Sequence, residues 1–284
     1  MAILEGLVTD KTDIILLDKC DVSNEEKTKV IDLKSDLTSK YIKNMYLYKG
    51  SWCYFKKDGE CENYYYSIVD ELVGSRLASG RNLPTVSFKI ARLSSTGELG
   101  IISPNFKQEE YKYEVLSEII DEGLSYKDPI KLELLSSIPC TLENKKVFLT
   151  HLFNLFALDI HMLQKDRADV NLQFQTDLKT GFFDIAPLYD YATCASKVNQ
   201  DGINIPSKIT RLDYLNIISL ARRNPIFRDA LEYILEEDMV SIWNEICEDN
   251  NFDMDGFIYN KVLSRLEEKE ISQKQYIKEL LSRV

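Results

Sequence analysis

A long apolar helix is the sequence feature that most constrains the fold. Between residues 144 and 163, apolar side chains such as Phe148, Leu152 and Phe156 recur at helical spacing. This apolar face is too long for a helix on the surface, so we expect a central helix around which other elements pack. The 284 residues are enough to bury such a helix in one large or two modest domains.

The two halves of the chain differ in their hydrophobic patterns. The first half is dominated by strand-like runs at 14–17, 30–34, 41–49, 85–93 and 99–103. One helix is expected among them, at 64–78, with Gly80 as its C-cap. The second half is mostly helical, with expected helices at 109–122, at 144–163 and from 214 to the end, where the charged stretch 262–281 is expected to be a solvated closing helix.

A β-hairpin is expected inside the helical half. Residues 171–174 and 182–185 are strand-like and flank the turn sequence DLKTG. The order of elements predicts an α+β, two-lobed architecture. Residues 1–105 would form a β-rich N-lobe with one helix, and residues 106–284 a mostly helical C-lobe with the embedded hairpin.

Charge and cysteine content exclude several classes of protein. The chain has 46 acidic and 35 basic residues, a formal net charge of -11, and phosphate backbones repel such a chain, so we expect no direct binding to nucleic acid. The six cysteines form no C-x-x-C pair and only two histidines are present, so structural zinc is not expected. Scattered cysteines of this kind are typical of reduced thiols in the cytoplasm.

The sequence shows neither a membrane span nor a leader. No run of 18 uncharged apolar residues occurs, and the start MAILE lacks a basic segment followed by an apolar one. We therefore expect a cytoplasmic protein, with export as an effector kept as an alternative.

Three oxygen-bearing side chains follow the apolar helix in an informative order. Asp166 and Asn171 are five residues apart in the segment KDRADVN. This is the spacing of the catalytic loop of kinases, in which the Asp orients the acceptor hydroxyl and takes its proton and the Asn oxygen holds a metal ion. Asp190 lies beyond the hairpin, where a further oxygen ligand is needed. Mg²⁺ prefers hard oxygen ligands, so Asn171 with Asp190 predicts a magnesium site.

The first half should then supply the groups that contact phosphate. Lys49 ends a strand-like run, and Glu71 lies in the following helix, where its carboxylate could fix the Lys49 ammonium. The hydroxyl residues Ser35, Thr38 and Ser39 lie between two strand-like runs, where backbone N–H groups could face phosphates. Alone, each of these residues has a plainer interpretation, such as a solvated strand end for Lys49 or a surface acid for Glu71.

These motifs together resemble the HipA-like kinase family. The run LDIHMLQKDR at 158–167, with Asn171 and the run APLYD at 186–190, is similar to the family's D-R-H-x-x-N loop and A-P-x-x-D metal motif. The pair YK at 48–49 and the run DEL at 70–72 resemble its nucleotide lysine and helix glutamate, and residues 99–106 resemble the strand that leads into its interlobe hinge. The likeness spans about residues 40–190, roughly half of the chain.

The resemblance implies a protein-kinase-like fold, ATP and Mg²⁺, and phosphorylation of Ser or Thr in a protein substrate. It also implies a toxin or effector role, and in toxin relatives the partner is often a small DNA-binding antitoxin. The chain departs from the family at Ala168, where the motif has a His. The missing imidazole motivates a second interpretation, a pseudokinase that binds without turnover. A third is a lipid or small-molecule kinase, because phosphoinositide kinases use a related D-R-x-x-x-N loop.

Two other patterns are given structural interpretations. His151 and His161 lie on the apolar helix ten residues apart, which favours core histidines over metal ligands. Asn251, Asp253 and Asp255 mimic part of a calcium loop, but the twelfth position is Val262 where a Glu is needed. We expect a solvated turn there.

Overall fold

In its described residues, the first part of the chain forms a five-stranded sheet, one α-helix and a short 3-10 turn at Leu4–Gly6. The computed structural model describes residues 3–18, 45–58, 67–115, 119, 142–162, 172–191 and 211–284. The strands are β1 (Ile15–Leu17), β2 (Met45–Tyr48), β3 (Ser51–Lys57), β4 (Lys89–Leu93) and β5 (Leu99–Pro104). Their order in the sheet is β1-β4-β5-β3-β2, in which only β1 and β4 pair in parallel. Strand β3 therefore lies inside the sheet, between β5 and β2.

Helix α1 (Ser67–Gly80) lies between this sheet and the helical part of the chain. Ile68, Val69, Val73 and Leu77 are buried, and the helix packs against helices of the second half. Apolar residues on several sides of a helix indicate burial on several sides. Helix α1 thus joins the two parts of the molecule through one continuous apolar core.

The second part of the chain combines a small sheet with six further helical elements in the described ranges. The strands β6 (Tyr111–Val115), β7 (Gln173–Asp177) and β8 (Phe183–Ile185) form an antiparallel sheet in that order. The helices are α2 (Leu142–Met162), α3 (Arg211–Arg223), α4 (Pro225–Glu232), α5 (Met239–Asp249) and α6 (Phe257–Leu281), and a 3-10 turn covers Tyr233–Leu235. Phe148, Leu152 and Leu158 of α2 are buried, which confirms the expected central helix.

The predicted helix at 109–122 is wrong over its first half. Residues Tyr111–Val115 are strand β6, paired with β7 so that Tyr113 lies opposite Gln175. The sequence YKYEV alternates large apolar and charged side chains, and an aromatic or β-branched residue at every second position suits a pleated strand. The hairpin of β7 and β8 confirms the expected strands in the helical half.

The closing helix α6 is less solvated than its charge suggests. Ile258, Val262, Leu266 and Ile277 are buried along one face, and so is Lys269 on the same face. The expectation of a solvated helix is therefore wrong for this face. None of the helices in the described ranges has an apolar stretch long enough to cross a bilayer.

A buried polar network connects the end of α1 to the end of α2. The Arg81 guanidinium donates from Nε to Oε1 of Glu237 at 2.8 Å and from a terminal nitrogen to Oε2 at 2.5 Å. His161 lies with Nδ1 2.9 Å from Oε2 of the same carboxylate. Burial lowers the pKa of His161 more than Glu237 raises it, so the imidazole is neutral and donates from Nδ1. This contact agrees with the expectation of a core histidine.

Burial alone would raise the pKa of Glu237, but the hydrogen bond from His161 and the charge of Arg81 outweigh burial and hold this pKa below its usual range. Glu237 is therefore ionised at neutral pH and neutralises the buried guanidinium. We expect Glu237→Gln to lower the free energy of unfolding by about 3 kcal/mol or more, because it leaves a buried charge without its counter-ion. Urea unfolding measures the loss.

The neighbouring variant Glu236→Gln is the control, because Glu236 is exposed and the substitution makes the same chemical change. It should change stability by less than about 0.5 kcal/mol. Equal unfolding midpoints for the two variants would show that the network contributes nothing.

Candidate active site

A lysine of β3 and a glutamate of α1 form the centre of the site. The Lys56 ammonium donates to Oε1 of Glu71 at 2.5 Å and to Oδ1 of Asp190 at 3.1 Å. The other oxygen of Glu71, Oε2, accepts the backbone N–H of Tyr191 at 2.9 Å. Three separate parts of the chain thus meet at one carboxylate.

Exposure differs sharply among the three charged groups. The side chain of Glu71 is 1% exposed, whereas those of Lys56 and Asp190 are 28% and 32% exposed. Glu71 is therefore the buried anchor, and Lys56 and Asp190 present an ammonium and a carboxylate to solvent. An arrangement of this kind can hold a polyanion together with a cation.

The pKa values follow from burial and charge. Burial lowers the pKa of Lys56, but the carboxylates of Glu71 and Asp190 outweigh it and raise this pKa well above its usual range. Burial raises the pKa of Glu71, while Lys56 opposes the shift. The ammonium therefore stays charged over the whole working range of pH.

The segment that carries Asp190 is fastened to the chain just after α1. Leu188 donates its N–H to the carbonyl of Pro84 at 2.9 Å and accepts the N–H of Val86 at 3.0 Å, and Thr85 forms an isolated parallel bridge with Leu188. The hydroxyls of Thr85 and Tyr191 are 2.9 Å apart. These contacts fix the backbone on both sides of Asp190.

The backbone of Asp190 has a φ of 57°, in the left-handed region that residues other than glycine rarely adopt. Such conformations persist where neighbouring contacts hold them, and they cluster at functional sites. Here the bonds of Leu188 and Tyr191 hold the backbone in this conformation.

Gly74 makes the approach of α1 to Tyr191 feasible. A Cβ added at Gly74 would lie 2.6 Å from Cγ of Tyr191 and 2.8 Å from its Cβ, distances that real side chains do not show. The absence of a side chain at Gly74 thus lets the helix and the Asp190 segment come into contact. Because the contact involves the base of the Tyr191 side chain, a simple rotation of the ring would not relieve it.

An aromatic group lies where the first part of the chain leads into the second. The rings of Phe106 and Tyr189 are 5.6 Å apart, and those of Phe106 and Tyr113 are 5.7 Å apart. Asn105 donates its N–H to the carbonyl of Trp52 at 2.8 Å. These rings lie beside the segment that carries Asp190, since Tyr189 precedes it.

The structure brings together two of the residues predicted from the sequence, Glu71 and Asp190. The predicted pairing of Lys49 with Glu71 is wrong, because Glu71 pairs with Lys56. Lys49 lies in the turn between β2 and β3, with its ammonium 5.2 Å from the centre of the Tyr48 ring. The predicted residues Asp166, Asn171, Ser35, Thr38 and Ser39 lie outside the described residues.

The sequence signal that could have identified Lys56 is the pair Lys49–Gly50, at which a two-residue turn can form. In the structure both residues have positive φ, 49° and 79°, which is the pattern of a two-residue hairpin turn. A hairpin at this point makes residues 51–57 a strand, with Cys53 and Phe55 on the buried face and Lys56 on the opposite face. Lys-Gly is a weaker turn signal than Asn-Gly or Asp-Gly, so the sequence pattern did not separate the two strands.

The partly exposed carboxylate of Asp190 could serve as a ligand of a metal ion. In the described part of the chain, no group of three or more His, Cys, Asp or Glu residues forms a ready-made metal site. The calcium-like segment is a turn, in which Oδ1 of Asp253 accepts the N–H of Asp255 at 3.1 Å.

A second carboxylate on α1, that of Asp70, lies next to Glu71 in the sequence and was not among the predicted site residues. Asp70 is buried with its Oδ1 3.6 Å from the Lys269 ammonium of helix α6. Burial raises the pKa of Asp70 to about 6, although the charges of Lys269 and Arg265 oppose the shift. Only the folded structure reveals this pair, because its two residues lie far apart in the sequence.

The fold is similar to that of a solved kinase and of a solved toxin–antitoxin protein. The Helicobacter pylori proinflammatory kinase CtkA matches with a TM-score of 0.58 and 16% identity, over 84% of this chain and 90% of that one. HipA of the Shewanella oneidensis MR-1 toxin–antitoxin system, solved with HipB and operator DNA, matches with a TM-score of 0.53 and 10% identity, over 98% of this chain and 76% of that one.

Comparisons with protein-family models and with curated protein sequences find no match. The solved structures confirm the predicted α+β, protein-kinase-like fold of the HipA-like kind. The boundary between residues 105 and 106 stays a prediction.

We expect Gly74→Ala to destabilise the protein by about 1–3 kcal/mol, because the new methyl group overlaps the base of Tyr191. The control is Gly80→Ala at the end of the same helix, where an added Cβ meets nothing within 4 Å. That variant should be neutral or slightly more stable, since Ala favours helix over Gly. Thermal unfolding measures both, and a Gly74→Ala variant as stable as Gly80→Ala would contradict the close contact.

The raised pKa of Asp70 predicts how stability depends on pH. The folded protein binds this proton below about pH 6 and the unfolded chain only below about 3.8, so the contribution of Asp70 to stability grows as pH falls through this window. Relative to Asp70→Asn, the wild type should gain about 1 kcal/mol between pH 7.5 and pH 5. Urea unfolding at both pH values tests this. A relative loss would mean that Lys269 lowers the pKa of Asp70 instead.

Proposed function

We propose that the chain is a kinase that transfers the γ-phosphoryl group of ATP, with Mg²⁺, to a Ser or Thr hydroxyl of a protein. The observation that supports this most is the Lys56 ammonium held between Glu71 and Asp190 in a protein-kinase-like fold. In protein kinases a strand lysine paired with a helix glutamate, and an aspartate that binds magnesium, must both be in place for phosphoryl transfer.

The described residues fit these ligands by their chemistry. An ammonium suits phosphate oxygens, and a partly exposed carboxylate such as that of Asp190 suits Mg²⁺, which takes few protein ligands and completes its shell with phosphate and water. Asp190 would hold the metal ion together with Asn171, the ligand predicted from the sequence. Bound Mg²⁺ supplies positive charge that neutralises the phosphate oxygens.

The residues of the chain then have distinct roles. Lys56 contacts the phosphates in place of the predicted Lys49, and Glu71 keeps the ammonium in position through a buried hydrogen bond. By its place in the sequence, Asp166 orients the acceptor hydroxyl and takes its proton, and Ser35, Thr38 and Ser39 mark the loop whose backbone faces the phosphates. Catalysis of this kind depends on positioning and charge, with no covalent intermediate on the protein.

The comparisons also suggest a biological context. HipA belongs to a toxin–antitoxin system and was solved with HipB, and CtkA is described as a proinflammatory kinase. We infer for this chain a toxin or effector role, with an antitoxin-like protein as a partner and the cytoplasm as the site of action. The net charge of -11 favours a protein over nucleic acid as the surface it contacts.

Ala168 favours one alternative, a pseudokinase that binds nucleotide without turnover. The residue stands where the HipA-like motif has a His that would orient the loop. A thermal-shift titration with ATP and Mg²⁺, combined with a turnover assay, separates the two functions, because binding without turnover supports the pseudokinase.

We expect Lys56→Met to reduce phosphoryl transfer by about 10²–10³-fold, because it removes a charge that stabilises the transition state. Transfer of ³²P from ATP, to the protein itself or to a generic protein substrate, measures the effect.

Asp166→Asn should abolish transfer as well, and Asp190→Ala should remove both transfer and the magnesium dependence of ATP binding.

Lys57→Met is the matched control, because it removes the same charge from the next residue of β3, whose ammonium pairs with Glu98 instead. It should keep transfer within about threefold of wild type. A Lys56→Met variant as active as Lys57→Met would refute the assignment. A full loss in Lys49→Met with an active Lys56→Met would return the role to Lys49.

A further inference from the structure

Helix α1 is connected to the helical part of the chain by a buried ion pair near each end. Near its start, Asp70 pairs with Lys269 of α6, and these side chains are only 9% and 7% exposed. Directly after its end, the fully buried Arg81 pairs with Glu237 and also donates to the carbonyl of Ala230. The two attachments are about 16 Å apart along the helix axis.

These attachments constrain Glu71. Successive residues of a helix point in directions about 100° apart, so Asp70 and Glu71 contact different neighbours. Asp70 contacts α6, and Glu71 contacts β3 and the backbone of Tyr191. A rotation or shift of α1 that withdrew Glu71 from Lys56 would also separate Asp70 from Lys269 and Arg81 from Glu237.

Such a movement is unfavourable because it leaves charges unpaired inside the protein. A buried ion pair is costly to break from one side, since the remaining charge has neither a counter-ion nor water. Arg265, on the preceding turn of α6, adds a second positive charge near Asp70. Helix α1 is therefore held by charge pairs with defined partners as well as by its apolar surface.

We propose that Lys269 and Glu237 are positioning residues that hold α1 where Glu71 pairs with Lys56. Helix α6 then acts on the site indirectly, because Lys269 contacts Asp70, the neighbour of Glu71 on α1. The effect of these residues on kcat rests on the proposed function, whereas their effect on the position of Glu71 does not.

The first test measures the position of Glu71 without any assay of activity. The backbone N–H of Tyr191 donates to Glu71, so its hydrogen exchange reports whether Glu71 is in place. In Lys269→Met, exchange at Tyr191 should be about tenfold faster than in wild type. Exchange at Val86, whose N–H donates to Leu188, should change little and serves as the internal reference.

Two matched variants make this test specific. Lys261→Met removes the same charge from an exposed position of α6 and should leave exchange at Tyr191 at the wild-type rate. Lys269→Arg keeps the charge and should restore protection to within about threefold. Equal protection of Tyr191 in Lys269→Met and Lys261→Met overturns the proposal. If Lys269→Met does not fold, Asp70→Asn/Lys269→Met removes both charges together, and wild-type protection in that variant overturns it too.

The second test is kinetic. In Lys269→Met, kcat should fall about tenfold while KM for ATP changes less than about threefold, because Lys56 is present but poorly oriented. Lys269→Arg should restore kcat and Lys261→Met should not alter it. Faster exchange at Tyr191 with unchanged kcat refutes the positioning role. If the wild type transfers no phosphate but Lys269→Met still exchanges faster at Tyr191, the proposed function is refuted. The role of Lys269 in holding α1 is then still supported.

Discussion

The Glu71 carboxylate is the point on which the rest of the site depends. It is almost completely buried, and a buried charge is unfavourable unless it is paired and hydrogen-bonded. Its two oxygens accept from the Lys56 ammonium and from the Tyr191 backbone. These bonds require β3, α1 and the segment carrying Asp190 to converge. Gly74 and the bridge between Thr85 and Leu188 provide the close packing that convergence needs.

The same ammonium contacts two carboxylates in different environments. Glu71 is enclosed by protein and acts as an anchor, whereas Asp190 is partly exposed and, in the proposed kinase, is a ligand of Mg²⁺. Environment therefore separates the roles of two chemically similar groups. The left-handed backbone at Asp190 supports this assignment, because such strain is kept only where surrounding contacts enforce it. In the proposed kinase, the buried half of the site orients the exposed half before any ligand binds.

The sequence predicted those elements of the fold that depend on the spacing of apolar residues within one segment. The apolar repeat predicted α2 at 144–163, and the structure has Leu142–Met162. Glu71 and Asp190 were chosen from short motifs, and the structure places both carboxylates beside the Lys56 ammonium, but Lys56 itself was missed. The turn at Lys49 and Gly50 was not separated from the strand before it, so β3 was not recognised and the lysine at the wrong end of the hairpin was chosen. The segment at Tyr111–Val115 was likewise assigned helical period although its pairing with β7 makes it a strand.

The burial of Lys269 shows why the remaining part could not be predicted. In the sequence this lysine belongs to a charged run that is typical of a solvated helix, and only the folded structure brings it to Asp70 of α1. Burial of a charge depends on the partner, which a local pattern does not contain. Apolar contacts tolerate small rotations of a helix, but a charge buried with one partner does not, because rotation leaves it unpaired. The charged residues that look least informative in the sequence are thus the ones that fix the direction in which α1 presents Glu71.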